Sequence, residues 1–264
     1  MKQIWALIPV KTSHSAKSRL ASIMSVEDRH TLALAMTRDV ATALKHVQAI
    51  ARVVTVSDSP ALGQLMGLDG IDHFHTPRAQ GLNKDLTIAA WWAQSQGATH
   101  VLIAHADLPH LTPQAVDGFL AGIQSMPASP IRAAACKQGT GTNLLLTPVP
   151  LPLPLVFGRN SLNRFRRIAA AAGISVDVVR DASLAHDIDN PEDFHALTSA
   201  HTRGDLVGRA TADFLLAATA ARTKPAAPSI IGQDSSRSIF WARQPDEARK
   251  ERSYSQFHGP VRQE

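Results

Sequence analysis

Charged and small polar residues collect at a few places where apolar runs end. The apolar run at residues 4–10 gives way to Lys11-Thr-Ser-His-Ser-Ala-Lys-Ser-Arg-Leu20, which sets Lys11, Lys17 and Arg19 directly behind a short buried segment. Cations in that position suit a triphosphate, because each can neutralise charge that moves onto a leaving pyrophosphate. A solvated basic loop is the plain alternative. The GxxxxGK[ST] pattern is absent, so this is not a Walker loop.

A second group, His105-Ala-Asp-Leu-Pro109, follows the apolar residues 101–104 and puts Asp107 at the end of an expected strand. A carboxylate there is a hard oxygen ligand for magnesium, and it is equally a helix cap. The third group, His186-Asp-Ile-Asp-Asn-Pro-Glu192, weighs against the bare cap. Asp187 and Asp189 flank Ile188, so on an extended segment both carboxylates face one side and need a cation between them. Together Asp107, Asp187 and Asp189 supply the carboxylates for metal beside a transferring phosphoryl group. Asp189 or Asn190 also caps the helix that opens at Pro191.

Gly139-Thr-Gly-Thr-Asn143 and Phe157-Gly-Arg-Asn-Ser161 allow backbone amides and hydroxyls to approach an oxyanion, with Ser161 at a helix start. Ordinary turns and caps give the same strings. Gly81-Leu-Asn83 opens another helix, and the Asn83 amide offers a donor and an acceptor suited to a purine edge. No GxSxG elbow or HExxH spacing is present, and the lone Cys136 excludes an internal disulfide and any multi-cysteine zinc site.

The elements that must position these groups alternate. Strands are expected at residues 4–10, 51–57, 71–74, 99–104, 131–136, 143–146 and 176–179. Helices are expected from a cap at Ser25 through Leu44, and at residues 61–66, 83–96, 113–123, 161–172 and 191–200. Alternation of strand and helix gives an α/β fold with a mostly parallel sheet, and residues 131–146 make a short antiparallel excursion. The catalytic core ends near residue 200, residues 205–221 form a helix able to dock on it, and the domain as a whole covers 1–221. Residues 222–264 turn to Pro, Ser, Arg and Gln without a periodic apolar face and are expected to be a basic, mostly disordered tail.

A formal net charge of +5 is explained as well by anionic substrates and a basic tail as by nucleic acid, and 5% aromatic content with no stacking motif argues against the latter. The first apolar run is too short for a signal core or a membrane span, which leads to the expectation of a cytoplasmic protein with no membrane association.

In order along the chain, residues 11–20, Gly81-Leu-Asn83, Ala106-Asp-Leu-Pro109, residues 139–143, Phe157-Gly158 with Ser161, and Asp187-Ile-Asp189 resemble the 2-phospho-L-lactate guanylyltransferase family over about residues 1–200. The resemblance implies a single Rossmann-like domain of the glycosyltransferase-A-type nucleotidyltransferases, working in coenzyme F420 biosynthesis. It implies transfer of GMP from GTP to 2-phospho-L-lactate, phosphoenolpyruvate or 3-phospho-D-glycerate, with Mg²⁺ as cofactor and pyrophosphate released. It also implies a downstream transferase partner that takes the labile product; a homodimer is compatible with it.

Carried over by residue, Asp107, Asp187 and Asp189 would hold the metal, and Lys17 and Arg19, with Lys11 and Gly81 nearby, the triphosphate. Asn83 would hold the base, and Thr142, Gly158 and Ser161 the acid. Lys17, Arg19 and Asp107 are the expected catalytic residues. His105 beside the metal aspartate and Arg159-Asn160 in the acid loop depart from the family pattern and bear on the choice of acid. A molybdenum-cofactor or sugar-phosphate nucleotidyltransferase is the nearest rival, disfavoured by Pro9-Val-Lys11 where a double-glycine loop is usual. A non-catalytic nucleotide- or RNA-binding protein is the rival from another class.

Overall fold

The structure is a computed structural model that describes residues 2–11, 16–76, 80–125 and 131–223. The tail expected over 222–264 lies outside the described residues, except where the last helix ends. In chain order the elements are β1 (Ile4–Pro9), α1 (Val26–Lys45), β2 (Ile50–Ser57), α2 (Pro60–Leu68), β3 (Asp72–His75), α3 (Leu82–Ser95), β4 (His100–Ala104), α4 (Pro113–Leu120), β5 (Ile131–Ala135), β6 (Thr142–Pro148), α5 (Ser161–Ala171), β7 (Val176–Val179), α6 (Ala182–Ala185), α7 (Pro191–Thr202) and α8 (Arg209–Thr223).

Among the described residues the strands form one sheet in the order β3-β2-β1-β4-β6-β5-β7. β6 runs antiparallel to both β4 and β5, while β1 pairs in parallel with β2 and β4, β2 with β3, and β5 with β7. The expected antiparallel excursion is therefore one reversed strand in an otherwise parallel sheet. Alternation along β1 divides the core: Ile4, Ala6 and Ile8 pack on the side of α1, α2 and α4, while Trp5 and Leu7 face α3 and α5. Burial on both faces explains why these strands read as continuous apolar runs.

Helix starts follow their capping residues. The Ser25 side chain accepts from the Asp28 amide, Thr112 from Ala115, and Asn190 from Asp193 in a reciprocal capping box. α8 is held at its start by Asp39 of α1, whose carboxylate accepts from the Ala210 and Thr211 amides at 2.8 Å each. A third cluster, including Leu20, Leu32, Met36, Ile188, Phe194, Leu197 and Leu215, joins α1, α7 and α8. No helix among the described residues is long and apolar enough to cross a membrane.

Two histidines of the sheet are shifted toward the neutral form. His73 and His100 each place Nδ1 against a threonine hydroxyl, at 3.0 and 2.9 Å, while each Nε2 is buried without a partner. Burial lowers both pKa values below the ordinary 6.5, with the neighbouring His75 and Lys2 adding repulsion. The unfolded chain therefore binds more protons below that value, and stability falls as pH falls. We expect the thermal midpoint to drop between about pH 7 and pH 5, and to drop less in a double variant carrying His73→Asn and His100→Asn. Equal pH slopes in scanning calorimetry would assign the acid sensitivity to other groups.

Candidate active site

Strand order reverses between β1 and β4, and in open α/β sheets the crevice beyond the carboxyl ends of the strands at such a point receives ligands. A cleft of about 750 Å³ opens there. The residues that follow β1 and those that follow β4 meet in it, bringing Lys11, Lys17, Arg19, Gly81, Asp107 and Asp189 to one wall system.

Lys17 is the centre of the arrangement. Its Nζ donates to Asp107 Oδ2 and, at 3.1 Å, to Asp189 Oδ1, while Arg19 reaches Asp189 Oδ2 at 3.3 Å. Burial by itself would lower the Lys17 pKa, but the two adjacent carboxylates outweigh it and hold the ammonium above its ordinary range. The same balance acts on Asp107: burial pushes its pKa up, and Lys17, helped by His105, brings it below the usual value. Lys17 is left-handed, at φ 52° and ψ 37°, an uncommon conformation for a side chain with a Cβ. Its loop is pinned on both sides, by the Arg29 guanidinium donating to the Ala16 carbonyl at 3.2 Å and by fully buried Leu20.

The Asp187-Ile-Asp189 segment is anchored by its middle residue. Ile188 is 2% exposed, and its amide donates to the Asp107 carbonyl at 3.2 Å, which lays the segment alongside the end of β4. Asp193 accepts from the Asp189 and Asn190 amides, at 3.1 and 3.2 Å. Asn190, not Asp189, is the cap, so the Asp189 carboxylate is left to the cations. Asp187 is half-buried and does not line the cleft; Asn143 Nδ2 donates to it at 3.4 Å. Burial and then the nearby Asp107 charge raise its pKa.

These aspartates are not gathered into a finished cage. Among the described residues no three His, Cys, Asp or Glu side chains form a ready metal-ligating cluster, and the Lys17 ammonium bridges Asp107 and Asp189. The residues nonetheless fit a cation. Asp107 Oδ1 is buried without a hydrogen-bond partner, and Asp187 is disfavoured as an anion by its neighbour. A small divalent ion that takes one or two carboxylates plus phosphate oxygens would satisfy both.

Thr142, Gly158 and Ser161 lie beyond the wall of that cleft and are brought together around the start of α5. The Ser161 amide donates to the Gly158 carbonyl at 3.1 Å, and Leu162 donates to Thr140 at 2.9 Å, tying the two glycine-containing loops. Gly158 has φ +119°, which a side chain would strain, and Thr142 Oγ1 is buried without a partner. The link to the cleft is His105, which lines it, packs its ring 5.4 Å from that of Phe157, and keeps Nε2 buried and unpartnered.

Asn83, expected to read a purine edge, does not line the cleft. Its Nδ2 donates to the Phe157 carbonyl at 3.1 Å and its Oδ1 accepts from the Phe157 amide at 2.7 Å, so the side chain clasps the loop that leads into Gly158. Gly81, at φ +102° before α3, remains at the cleft. Sequence reasoning missed Arg29, Asn143 and Asp193 as supports of the charged groups. Only Asp193 carried a local signal, three residues after a capping Asn.

A mixed sheet with one reversed strand, and a cleft lined by basic and acidic residues at its switch point, define an α/β protein of the nucleotidyltransferase type. The fold is that of a putative nucleotide-diphospho-sugar transferase from Desulfovibrio desulfuricans G20, matched with a TM-score of 0.67 over 84% of this chain and 96% of that one at 17% identity. A cytidylyltransferase from Leptospira borgpetersenii matches with a TM-score of 0.53 over 89% of this chain and 99% of that one, at 14% identity. Residues 4–215 match the family model described as "Guanylyl transferase CofC like", and the chain belongs to that family. Its relatives include the phosphoenolpyruvate guanylyltransferase of Conexibacter woesei, 32% identical with 76% of this chain and 94% of the relative covered. The 3-phospho-D-glycerate guanylyltransferase of Phenylobacterium zucineum is 35% identical, with 71% and 86% covered.

Proposed function

We propose that the protein transfers GMP from GTP to a phosphorylated three-carbon acid and releases pyrophosphate. The observation that carries this reading is the convergence of Lys11, Lys17 and Arg19 with Asp107 and Asp189 in one cleft at the switch point. Membership of a guanylyltransferase family, and relatives named as phosphoenolpyruvate and 3-phospho-D-glycerate guanylyltransferases, support the choice of nucleotide and acceptor class. The acceptor phosphate is already anionic, so its oxygen can attack the α-phosphorus in line without a general base. One oxygen–phosphorus bond forms, and the bond from the α-phosphorus to the bridging oxygen of the β-phosphate breaks.

Lys17 and Arg19 bind the triphosphate and take up charge passing to pyrophosphate, with Lys11 at the cleft mouth. Asp107, Asp187 and Asp189 would hold Mg²⁺, which supplies positive charge against the phosphate oxygens. Thr142, Gly158 and Ser161 orient the acid, the last two through the turn that opens α5. With Asn83 engaged elsewhere, main-chain groups near Gly81 remain to read the guanine. In this reading the enzyme is cytoplasmic, serves coenzyme F420 biosynthesis, and hands its labile product to a downstream transferase.

Among the acids we favour 3-phospho-D-glycerate. His105 Nε2 and Thr142 Oγ1 are buried polar atoms without a hydrogen-bond partner. A pocket with such groups rejects an analogue lacking the matching hydroxyl, because they stay unpaired. Relatives bear names for both phosphoenolpyruvate and 3-phospho-D-glycerate, so the choice rests on this lining. The test is a pyrophosphate-release matrix of four nucleotides against the three acids. The expected maximum is GTP with 3-phospho-D-glycerate. Equal rates with ATP and GTP would remove the guanylyl assignment, and a strong preference for either other acid would remove the polarity argument.

A further inference from the structure

We propose that Lys17 is a resident cation that keeps the Asp107–Asp189 pair closed to free divalent metal, so that metal and triphosphate bind cooperatively. The inference rests on the nucleotidyl-transfer reading above and adds a coupling between its two ligands. Three observations carry it. The Lys17 ammonium already occupies the space between the two carboxylates, touching Asp107 and standing 3.1 Å from Asp189. The Lys17 side chain is only 11% exposed and that of Asp107 18%, so solvent screens this contact little. The carboxylate it holds keeps a second, buried oxygen with no partner, so Asp107 has coordination capacity that the lysine leaves unused.

A divalent ion arriving alone meets the ammonium at short range, with Arg19 a second cation on the far carboxylate oxygen. The added positive charge is repelled, and Asp107 and Asp189 remain engaged. A triphosphate changes the balance. It offers Lys17 and Arg19 a more highly charged anionic partner in the same cleft, and as they turn to it the two carboxylates lose their cations. Those carboxylates then require a new one, which the metal provides. Each ligand therefore raises the affinity of the other, by the same factor in both directions. The geometry of the loop serves this exchange. Lys17 is left-handed between a loop pinned through Arg29 and buried Leu20, so the main chain is fixed and the reorientation falls to the side chain.

The experiment is a Mn²⁺ titration of the full chain without nucleotide, followed by the electron paramagnetic resonance signal of free Mn²⁺. Wild type is compared with Lys17→Met, with Lys17→Gln, and with Lys17→Met carrying Asp107→Asn in addition. Removing the ammonium should tighten nucleotide-free Mn²⁺ binding at least about tenfold, within the usual range of site-to-site coupling. The added Asp107→Asn should abolish the gain. A thermal shift gives an independent reading: Mn²⁺ should raise the melting temperature of both Lys17 variants more than that of wild type. Circular dichroism confirms that each is folded.

If wild type binds free Mn²⁺ as tightly as both Lys17 variants, the coupling proposal fails and the metal site stands. If no variant binds Mn²⁺, and wild-type pyrophosphate release also proceeds with metal chelated, the metal reading itself fails with it.

Discussion

Asp107→Asn is expected to lower turnover at least about 100-fold while the circular dichroism spectrum is retained. The substitution keeps the shape of the side chain and removes its charge. In wild type that charge is held ionised by Lys17 against the effect of burial, and one oxygen points to no partner. The variant keeps a hydrogen-bond acceptor for Lys17 but offers a far weaker ligand to a cation. Asp189→Asn should act in the same direction.

Asp187→Asn carries a second signature. Burial and the Asp107 charge raise the Asp187 pKa, so near neutral pH its ionised form is disfavoured by folding. Removing the charge should therefore lower turnover and raise the melting temperature together, as expected where function is held at the expense of stability. Near-normal turnover in any of the three would remove that residue from the metal site, and an unchanged or lower melting temperature for Asp187→Asn would contradict the electrostatic account.

Arg132→Leu is expected to destabilise the fold by about 3 kcal/mol, the sum of lost charged hydrogen bonds and newly unpaired carbonyls. Arg132 is 7% exposed on β5. Its Nη1 donates to the Phe119 and Ala121 carbonyls at 2.7 and 2.9 Å, closing the carboxyl end of α4 with a positive charge. Its Nε donates to Asp177 of β7 at 2.7 Å. One side chain thus joins α4, β5 and β7. For a domain of this size the loss corresponds to a fall of about 6 to 12 °C in melting temperature. Turnover per folded molecule should be unchanged, since the residue is remote from the cleft. A shift under about 2 °C would show that water replaces these contacts readily.

Local signals made the scaffold readable. Ser25 caps its helix as its spacing with Asp28 predicts, and Pro113 and Pro191 stand at helix starts. The reading of Asp187 and Asp189 around Ile188 also rested on local alternation, which the burial of Ile188 explains. What lay beyond reach was non-local. The Lys17–Asp107 pair spans 90 positions and the Asn83–Phe157 clasp 74, and neither leaves a mark in the residues nearby. Short elements were missed for a related reason: Ser18–Leu20 and Ala182–Ala185 are too brief for a periodic pattern. β6, at Thr142–Pro148, is longer than the expected 143–146, since Thr147 and Pro148 resemble a turn on their own and are strand residues only through pairing with β4.

The Asn83 clasp has a mechanical consequence. Gly81, which caps α3, lines the cleft, while Phe157 leads into Gly158, beyond the cleft wall. Two hydrogen bonds within one side-chain amide fix both distance and twist between them. A displacement of the helix start or of the Phe157 loop therefore has to break or carry with it both hydrogen bonds. In the proposed reading, with guanine near Gly81 and the acid near Gly158, a misfit at one pocket would be passed through this crossbar to the other.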